Sequence, residues 1–325
     1  MSDKITSLIQ LVNKEIADYK FGEQPLELYE PIRYILELGG KRLRPLLTLL
    51  SYSLFKNDFE KILKPAVAME VFHNFTLLHD DIMDKAPLRR GKATVHEKWN
   101  NNVAILSGDV MMVKAYDLLI EDNPPRLSEI IRKFNRCAAE VCEGQQLDMN
   151  YEGREDVSES EYIEMIRLKT AVLLGFSCEL GGILANADDG QCQLLREVGE
   201  NIGIGFQLKD DLLDVYGDHA KFGKQVGGDI ISNKKTYLLI NAKKLAKGAD
   251  KEALENWLAK TTFNPEEKVL QVTKIYESLG IKLLTEKTMN LYFEKGFNKM
   301  KELEDKNGSK ELLITFFEQL IQREK

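Results

Sequence analysis

The chain has little cysteine for its length, and its apolar runs are short. Four cysteines occur among 325 residues and none forms a Cys-x-x-Cys pair, which disfavours a structural zinc site. The most apolar run, Ala171–Ala185, contains Glu179 and is shorter than the roughly 20 residues that a membrane span needs. No stretch alternates apolar and polar residues over the length of a strand, which argues against a sheet. Zinc-binding, membrane-spanning and sheet-rich classes are therefore disfavoured.

Charge is not concentrated in one sign either. The chain is 43% hydrophobic and 30% charged with a net charge of −7, an ordinary composition for a globular domain whose mild acidity argues against nucleic acid as a partner. Met1–Asp18 mixes charges throughout and does not look like a signal peptide, and the cysteines are typical of reduced thiols. We therefore expect a cytoplasmic protein with no nucleic-acid partner and no membrane span.

Helical periodicity extends over nearly the whole chain. The predicted helices cover residues 3–19, 27–38, 42–56, 62–85, 97–120, 126–150, 159–186, 190–215, 235–247, 250–259, 265–301 (with a possible break at Gly280) and 309–324. No linker rich in Pro, Gly or Ser divides the chain, so we expect one all-α domain over residues 1–325. Two irregular segments are long, Lys85–His96 and Gly217–Lys235, and long loops in compact domains often bind ligands.

Two acidic motifs of nearly the same sequence stand out. DDIMD begins at Asp80, and DDLLD begins at Asp210. Residues four apart lie on one helix face, so Asp80 pairs with Asp84, and Asp210 with Asp214, while the second aspartate of each motif lies about 100° round the helix. Clustered carboxylates repel unless cations lie between them, and Mg²⁺ prefers such oxygen ligands and shares them with substrate phosphates. The apolar flanks of both motifs argue against two solvated surface faces, so we predict a phosphorylated substrate held through metal ions.

Basic residues accumulate beside glycine turns and beside both acidic motifs. The candidates are Lys41, Arg42 and Arg44 after Gly39-Gly40, Arg89, Arg90 and Lys92 in the first loop, Lys169 in a helix, and Lys224 and Lys234 in the second loop. Arginine can bind phosphate with two parallel hydrogen bonds, and lysine acts as a mobile point charge. Carboxylates for metals and cations for phosphates together predict a site for two diphosphates.

The order and spacing of the motifs resemble the trans-isoprenyl diphosphate synthase (polyprenyl synthetase) family, of the farnesyl and geranylgeranyl diphosphate synthase kind. The matching motifs are GGKRLRP at 39–45, HNFTLLHDDIMD at 73–84, LRRG at 88–91, EGQQLD at 143–148, LKT at 168–170, GFQLKDDLLD at 205–214, GK at 223–224, GGD at 227–229 and NKKT at 233–236. The resemblance implies an isoprenoid synthase-like helical bundle round a central cavity, with the acidic motifs facing each other across it. It also implies a homodimer and about three Mg²⁺ ions per active site.

The resemblance also implies substrates and residue roles. The substrates would be isopentenyl diphosphate and an allylic diphosphate of C5 to C15. The metal ligands would be Asp80, Asp84 and Asp210, supported by Asp81, Asp211 and Asp214. Isopentenyl diphosphate would contact Lys41, Arg44, His73 and Arg90, and the allylic diphosphate would contact Arg89, Lys169, Lys224 and Lys234. Thr170 and Gln207 would face the developing cation, and Phe206 would border the homoallylic tail. His79 and Asp148 are interpreted as structural or neighbouring residues.

Product length is predicted from the residues that precede Asp80. The family uses positions four and five before this aspartate, here Thr76 and Phe75, as the floor of the product pocket. Helix geometry places Thr76 one turn below Asp80, and Phe72 two turns below and about 80° round. Bulky Phe72 and Phe75 would stop the growing chain early while Thr76 leaves some depth, although Phe72 fits a plain core aromatic equally well. We expect a C15 to C20 product and favour geranylgeranyl diphosphate.

Three other functions compete with this prediction. Glu70-x-x-His73 matches half of the signature of helical di-iron proteins, but those need the pair twice, and no glutamate stands three residues before any of the other three histidines. A terpene cyclase would share the architecture and an acidic motif, but it would not need a second diphosphate site. A catalytically silent partner subunit would lack an acidic motif, and both are intact here.

Overall fold

The computed structural model describes residues 3–217 and 227–322. Its helices, numbered here in chain order, are α1 (Asp3–Asp18), α2 (Leu26–Glu37), α3 (Leu43–Ser53), α4 (Leu63–Met83), α5 (Val95–Lys98), α6 (Asn101–Ile120), α7 (Leu127–Glu152), α8 (Glu159–Ile166), α9 (Val172–Leu184), α10 (Asp189–Tyr216), α11 (Gly228–Ile231), α12 (Tyr237–Leu245), α13 (Gly248–Ala259), α14 (Pro265–Ser278), α15 (Ile281–Glu302) and α16 (Lys310–Gln322). A 3₁₀ turn, Phe59–Ile62, precedes α4, and a π-helical segment, Arg167–Ala171, joins α8 to α9. The expected all-α class is confirmed.

Three local differences from the predicted helices matter for the site. The first long loop contains a hairpin of β1 (Leu88–Arg89) and β2 (Lys92–Ala93), which pair antiparallel. The predicted helix over 159–186 contains the π-helical segment. The break expected at Gly280 is present, and this glycine has a φ of +69°, a left-handed conformation that commonly ends helices.

Contacts between Cα atoms group the chain into two compact units. The first unit comprises Met1–Asn135, Phe176–Arg196 and Glu302–Gln319, and the second comprises Arg136–Gly175, Glu197–Lys301 and Leu320–Lys325. The single domain expected over residues 1–325 stays a prediction. The first acidic motif belongs to the first unit and the second motif to the second.

The core of the first unit is built round α4, which packs against α3 and α6. Leu78 and Asp81 of α4 are both buried, as their three-residue spacing on one helix face requires. On α6, a Cβ at Gly108 would lie 2.3 Å from His79 Nε2, so the glycine lets α6 approach α4 closely. This packing directs Asp81 into the unit and leaves Asp84 exposed at the helix end.

The core of the second unit is built round α10. Leu208 packs with Tyr162 of α8 and Tyr237 of α12, and Leu212 belongs to a neighbouring cluster that includes Tyr276 of α14. The buried positions Leu208, Asp211 and Val215 recur every three or four residues, so they form one helix face. Asp210 lies off that face and is exposed.

Within residues 3–217 and 227–322, every helix is too short or too polar to cross a membrane.

Candidate functional site

The first acidic motif ends α4. Asp80 is partly buried, and Asp84 follows the last helical residue, where its N–H donates to the Asp80 carbonyl over 2.8 Å. Asp81 is only 2% exposed and accepts two hydrogen bonds from Arg89, one from Nε at 2.8 Å and one from the terminal nitrogen at 2.7 Å. A paired, two-point contact of this kind fixes the guanidinium plane. Asp81 therefore positions Arg89, while Asp80 and Asp84 lie nearer the surface.

The hairpin after α4 carries two of the predicted phosphate-binding residues. Arg90 and Gly91 form its two-residue loop with φ of +53° and +75°. Positive φ at both positions is typical of the turn whose twist matches antiparallel strands. Thr94 Oγ1 donates to the Ala86 carbonyl over 2.8 Å and anchors the base of the hairpin. The helical pattern of the sequence did not predict this hairpin. Its local signal is limited to the Arg-Gly pair between two short extended segments.

His73 lies among arginine side chains. Burial lowers the pKa of His73 well below its usual value, and the charges of Arg44, Arg90, Arg89 and Arg42 lower it further. The ring is therefore neutral at physiological pH. The structure thus brings His73, Arg44 and Arg90 together, as the sequence predicted for an anion site. Lys41, the fourth predicted member, is exposed in the turn before α3.

Glycine lets Arg90 reach this cluster. Gly40 has a φ of +149°, and a Cβ there would lie 2.9 Å from a guanidinium nitrogen of Arg90. A larger residue at this position would displace the Arg90 side chain. The Gly-Gly turn before α3 therefore serves packing of the cationic cluster as well as the helix start.

Arg42 has a structural role that the sequence did not reveal. It adopts a left-handed conformation (φ +48°, ψ +38°) before α3 and is 5% exposed. Its guanidinium donates to Glu70 Oε1, the Leu36 carbonyl and Asn13 Oδ1, each over 2.9 Å. Because the Glu70 carboxylate already pairs with the buried Arg42 guanidinium, it is poorly placed to bind iron as the Glu-x-x-His signature requires. This contact disfavours the oxidase alternative.

Aromatic side chains occupy α4 below the acidic motif. Phe72 is fully buried, with its ring centroid 5.1 Å from that of Phe134 and 5.6 Å from that of Phe75. Phe75 is partly buried and contacts the His79 ring at 4.8 Å. Thr76 Oγ1 donates to the His73 carbonyl over 2.8 Å. Phe72 is thus fully buried, whereas Phe75 and Thr76 keep some exposure, and a role of Phe72 in product length stays a prediction.

The second acidic motif lies near the end of α10. Asp211 is 4% exposed and accepts hydrogen bonds from the Tyr162 hydroxyl at 2.5 Å and from Gln207 Nε2 at 3.3 Å. Burial, with the nearby charge of Asp229, raises the pKa of Asp211 to about 7. Asp214 Oδ2 accepts the Asp229 N–H at 3.0 Å. The third aspartate of this motif therefore anchors the following Gly-Gly-Asp segment.

The π-helical segment presents the predicted Lys-Thr pair. Thr170 Oγ1 donates to Gln207 Oε1 over 3.1 Å, so both residues predicted to face the cation share one network that leads to Asp211. At Gly144, a Cβ would lie 2.2 Å from the Lys169 nitrogen, and the glycine therefore lets α7 approach the segment. π-Helical turns inside α-helices occur frequently at functional sites.

Asp148 joins two predicted diphosphate-binding lysines. Its Oδ2 lies 2.6 Å from Lys169 Nζ and 3.7 Å from Lys234 Nζ. Burial disfavours the charged form, but the two lysines outweigh it and lower the pKa of Asp148. Asp148 therefore holds Lys169 and Lys234 together, a more specific role than the sequence indicated. Lys224, predicted for the same diphosphate, lies outside the described residues.

The carboxylates fit Mg²⁺ by their chemistry. In the described part of the chain, no three His, Cys, Asp or Glu side chains form a ready metal cluster. Mg²⁺ is commonly bound by only one or two carboxylates, with waters and substrate phosphates completing its coordination. Asp80 with Asp84, and Asp210 in the second unit, provide oxygen ligands of that kind.

Known proteins resemble this chain over its whole length. A family model described as polyprenyl synthetase matches residues 25–278. A geranylgeranyl pyrophosphate synthase of Geoglobus acetivorans is 37% identical over 100% of this chain and 99% of its own length. A geranylgeranyl diphosphate synthase of Methanosarcina mazei is 37% identical over 93% of this chain and 91% of its own. A crystal structure of a geranylgeranyl pyrophosphate synthase superposes with a TM-score of 0.94 at 42% identity, covering 100% of both chains.

Proposed function

This chain belongs to the polyprenyl synthetase family, and from that premise we propose that it is a short-chain trans-prenyltransferase that makes geranylgeranyl diphosphate. It condenses isopentenyl diphosphate with an allylic diphosphate of C5 to C15. The allylic C–O bond breaks and releases diphosphate, the isopentenyl double bond attacks the allylic cation, and the released diphosphate takes up the proton that leaves the condensed product. Geranylgeranyl diphosphate is favoured over farnesyl diphosphate as the product, in keeping with the relatives' names.

One helix carries the observation on which this proposal rests. His73 and Asp80 are seven residues apart on α4, so they lie on nearly the same face and about 10 Å apart along the axis. Burial and the charges of four arginines lower the pKa of His73, whereas Asp80 and Asp84 offer carboxylates for a metal. A cationic site and a metal site on one helix face match two separate diphosphates. A terpene cyclase needs only one.

We assign the isopentenyl diphosphate to the cationic cluster. A neutral His73 donates a hydrogen bond without adding charge, and Arg44 and Arg90 supply guanidinium groups for the phosphate oxygens. Lys41 adds a mobile positive charge at the start of α3. The arginines already lie together, so binding costs less side-chain ordering than it would for independent surface charges.

We assign the allylic diphosphate to the acidic motifs and the cations beside them. Asp80, Asp84 and Asp210 would hold Mg²⁺, which when bound neutralises charge on the leaving diphosphate; about three ions per site remain an expectation from the family. Arg89, Lys169 and Lys234 would contact the diphosphate directly, and Lys224 is proposed with them. In the described structure Asp81 and Asp148 hold three of these cations in place.

Thr170 and Gln207 are proposed to face the developing allylic cation. The Thr170 hydroxyl donates to Gln207 Oε1, and Gln207 Nε2 donates to Asp211. This network fixes the direction of both dipoles before substrate arrives, and preorganised dipoles stabilise charge without reorganising during the reaction.

The product tail is proposed to extend along α4 past Thr76 towards Phe75. Phe75 is held against His79 and Phe72, so it cannot swing away freely. A bulky, packed side chain five residues before Asp80 fits a product that stops at C20.

We propose that the enzyme is a homodimer. Leu106, Val113 and Ile120 of α6 are 57%, 58% and 46% exposed, and their spacing of seven puts them on one helix face. An exposed apolar stripe of this kind is costly in a monomer. Sedimentation of Leu106→Glu/Val113→Glu as a monomer would support the assignment, and an unchanged dimer would contradict it.

The free cysteines support the expected cytoplasmic location.

Product chromatography tests the proposed function. The enzyme is incubated with Mg²⁺ and labelled isopentenyl diphosphate plus a C5, C10 or C15 allylic primer. A C20 diphosphate that forms only when both substrates are present supports the proposal. Hydrocarbon product from the allylic diphosphate alone would indicate a cyclase, and no turnover with any pair would indicate a silent subunit.

A further inference from the structure

Lys268, in the first turn of α14, is fully buried. Its Nζ donates to the Ile231 carbonyl at 3.1 Å and to Asn233 Oδ1 at 2.7 Å, and it lies 4.2 Å from the centre of the Phe263 ring. These partners in the described part of the chain are all neutral. Burying an ammonium group without a carboxylate is costly, and burial lowers the pKa of Lys268. An apolar side chain would serve packing alone at lower cost.

Asn233 receives the hydrogen bond from Lys268 and has a left-handed backbone, with φ +56°. Its amide is held at both ends, since Oδ1 accepts from Lys268 and Nδ2 donates to the Leu258 carbonyl at 3.1 Å. Asparagine tolerates this conformation better than most residues, but the conformation still needs support. Lys268 and Leu258 therefore fix how the chain leaves α11.

The next residue is Lys234. Its N–H donates to the Asp229 carbonyl at 2.9 Å, which continues the tight turn that Asn233 makes. Its Nζ lies 3.7 Å from Asp148 Oδ2, and the same oxygen lies 2.6 Å from Lys169 Nζ. The conformation of Asn233 thus decides whether Lys234 reaches the carboxylate that Lys169 already contacts.

We propose that Lys268 is a positioning residue for allylic diphosphate binding: it fixes Asn233 and thereby places Lys234 beside Lys169. The inference rests on the proposed function, because that function assigns both lysines to the allylic diphosphate. Lys268 itself contacts no substrate. Its effect reaches the site through one side-chain amide and one left-handed residue.

The first test is Lys268→Met, which keeps the length of the side chain and removes its donors. The KM for the allylic diphosphate should rise roughly tenfold, since a small misplacement of a binding group is costly, while the KM for isopentenyl diphosphate stays within about twofold. Lys274→Met, an exposed lysine of the same helix, is the matched control and should change neither. Equal rises in both KM values would mean a merely structural role and would overturn the proposal.

A double-mutant cycle sharpens the test. If Lys268 acts through Lys234, Lys268→Met should no longer raise the allylic KM in a Lys234→Met background. An undiminished effect in that background contradicts the proposal. Asn233→Gly keeps the left-handed conformation and removes the amide, so it should reproduce the selective rise. If Lys268→Met does not fold, Asn233→Gly takes its place in the double-mutant cycle with Lys234→Met.

Calorimetric binding of inorganic diphosphate separates this inference from the proposed function. Roughly tenfold weaker binding to Lys268→Met than to the unmodified enzyme supports the positioning role even if no prenyl product forms, in which case the proposed function alone fails. Unchanged binding and unchanged allylic KM in an active enzyme would overturn the positioning role alone.

Discussion

The two acidic motifs have nearly the same sequence, but their second aspartates have different partners. Asp81 is bound by a guanidinium group, whereas Asp211 is bound by a phenol and an amide. Both lie on the buried face of their helix because each packs through residues spaced three or four apart. The local pattern therefore determines which aspartate is buried, and the surrounding unit determines whether its partner is charged. The two acidic motifs therefore repeat in sequence but differ in the side chains that surround their second aspartates.

The first aspartates of the two motifs, Asp80 and Asp210, should contribute equally to catalysis. Asp80→Asn and Asp210→Asn should each lower kcat/KM by roughly 10³-fold, or about 4 kcal/mol, because each removes a proposed metal ligand of the leaving diphosphate. Steady-state kinetics at several Mg²⁺ concentrations measures this loss. Glu252→Gln, an exposed acid of α13, is the control and should behave as the unmodified enzyme. A loss at only one motif would show that the two motifs are not equivalent.

The residues that precede the motifs should differ in effect. Phe75→Ala should move the main product from C20 to longer chains, because it opens the proposed floor of the product pocket five residues before Asp80. Phe206 lies four residues before Asp210. Its replacement in Phe206→Ala should slow the reaction without lengthening the product. Chromatography of both variants with a C15 primer measures this. An unchanged product length in Phe75→Ala would remove Phe75 from length control.

The second aspartates should differ in their contribution to stability. Asp81→Asn breaks a largely buried ion pair and should lower the free energy of unfolding by about 1–3 kcal/mol. Asp211→Asn keeps a polar group between two neutral partners and should cost less than about 1 kcal/mol. Urea unfolding followed by circular dichroism compares them. A larger loss of stability in Asp211→Asn than in Asp81→Asn would contradict the difference expected from their partners.

A similarly small effect on stability is expected for the partner of Asp211. Tyr162→Phe removes one hydrogen bond and should lower the free energy of unfolding by about 1 kcal/mol. Tyr151→Phe, the same change in the same hydrophobic cluster, provides the matched control. A thermal melt that shifts equally for both variants would mean that the hydrogen bond to Asp211 adds nothing.

Much of this molecule could be predicted from local sequence. Helical periodicity located most helices within a few residues, and the spacing of the aspartates predicted which would share a face. The hairpin was missed because its strands are two residues long, too short for a pattern to emerge. The π-helical turn at Lys169 was missed because it is only five residues long and lies within a longer run of helical periodicity.

Side-chain partnerships were the least predictable feature. Lys41, Arg42 and Arg44 look alike in the sequence, but Arg42 is buried against Glu70. Asp148 looked structural, but it joins two lysines of the proposed diphosphate site. Lys268 gave no signal at all, because nothing in a helical pattern marks a lysine as buried. Each of these contacts joins residues far apart in the chain, beyond the reach of local patterns.

In the proposed function, both acidic motifs bind one magnesium-bound allylic diphosphate. Calorimetric binding of an unreactive thio analogue of farnesyl diphosphate, with Mg²⁺, to Asp80→Asn, Asp210→Asn and the double variant tests it most directly. If the two motifs share one ligand, as we propose, either single change should remove most of the affinity and the second should add little. Independent losses that add fully in free energy, or full affinity after either change, would mean that the two motifs do not bind one shared diphosphate.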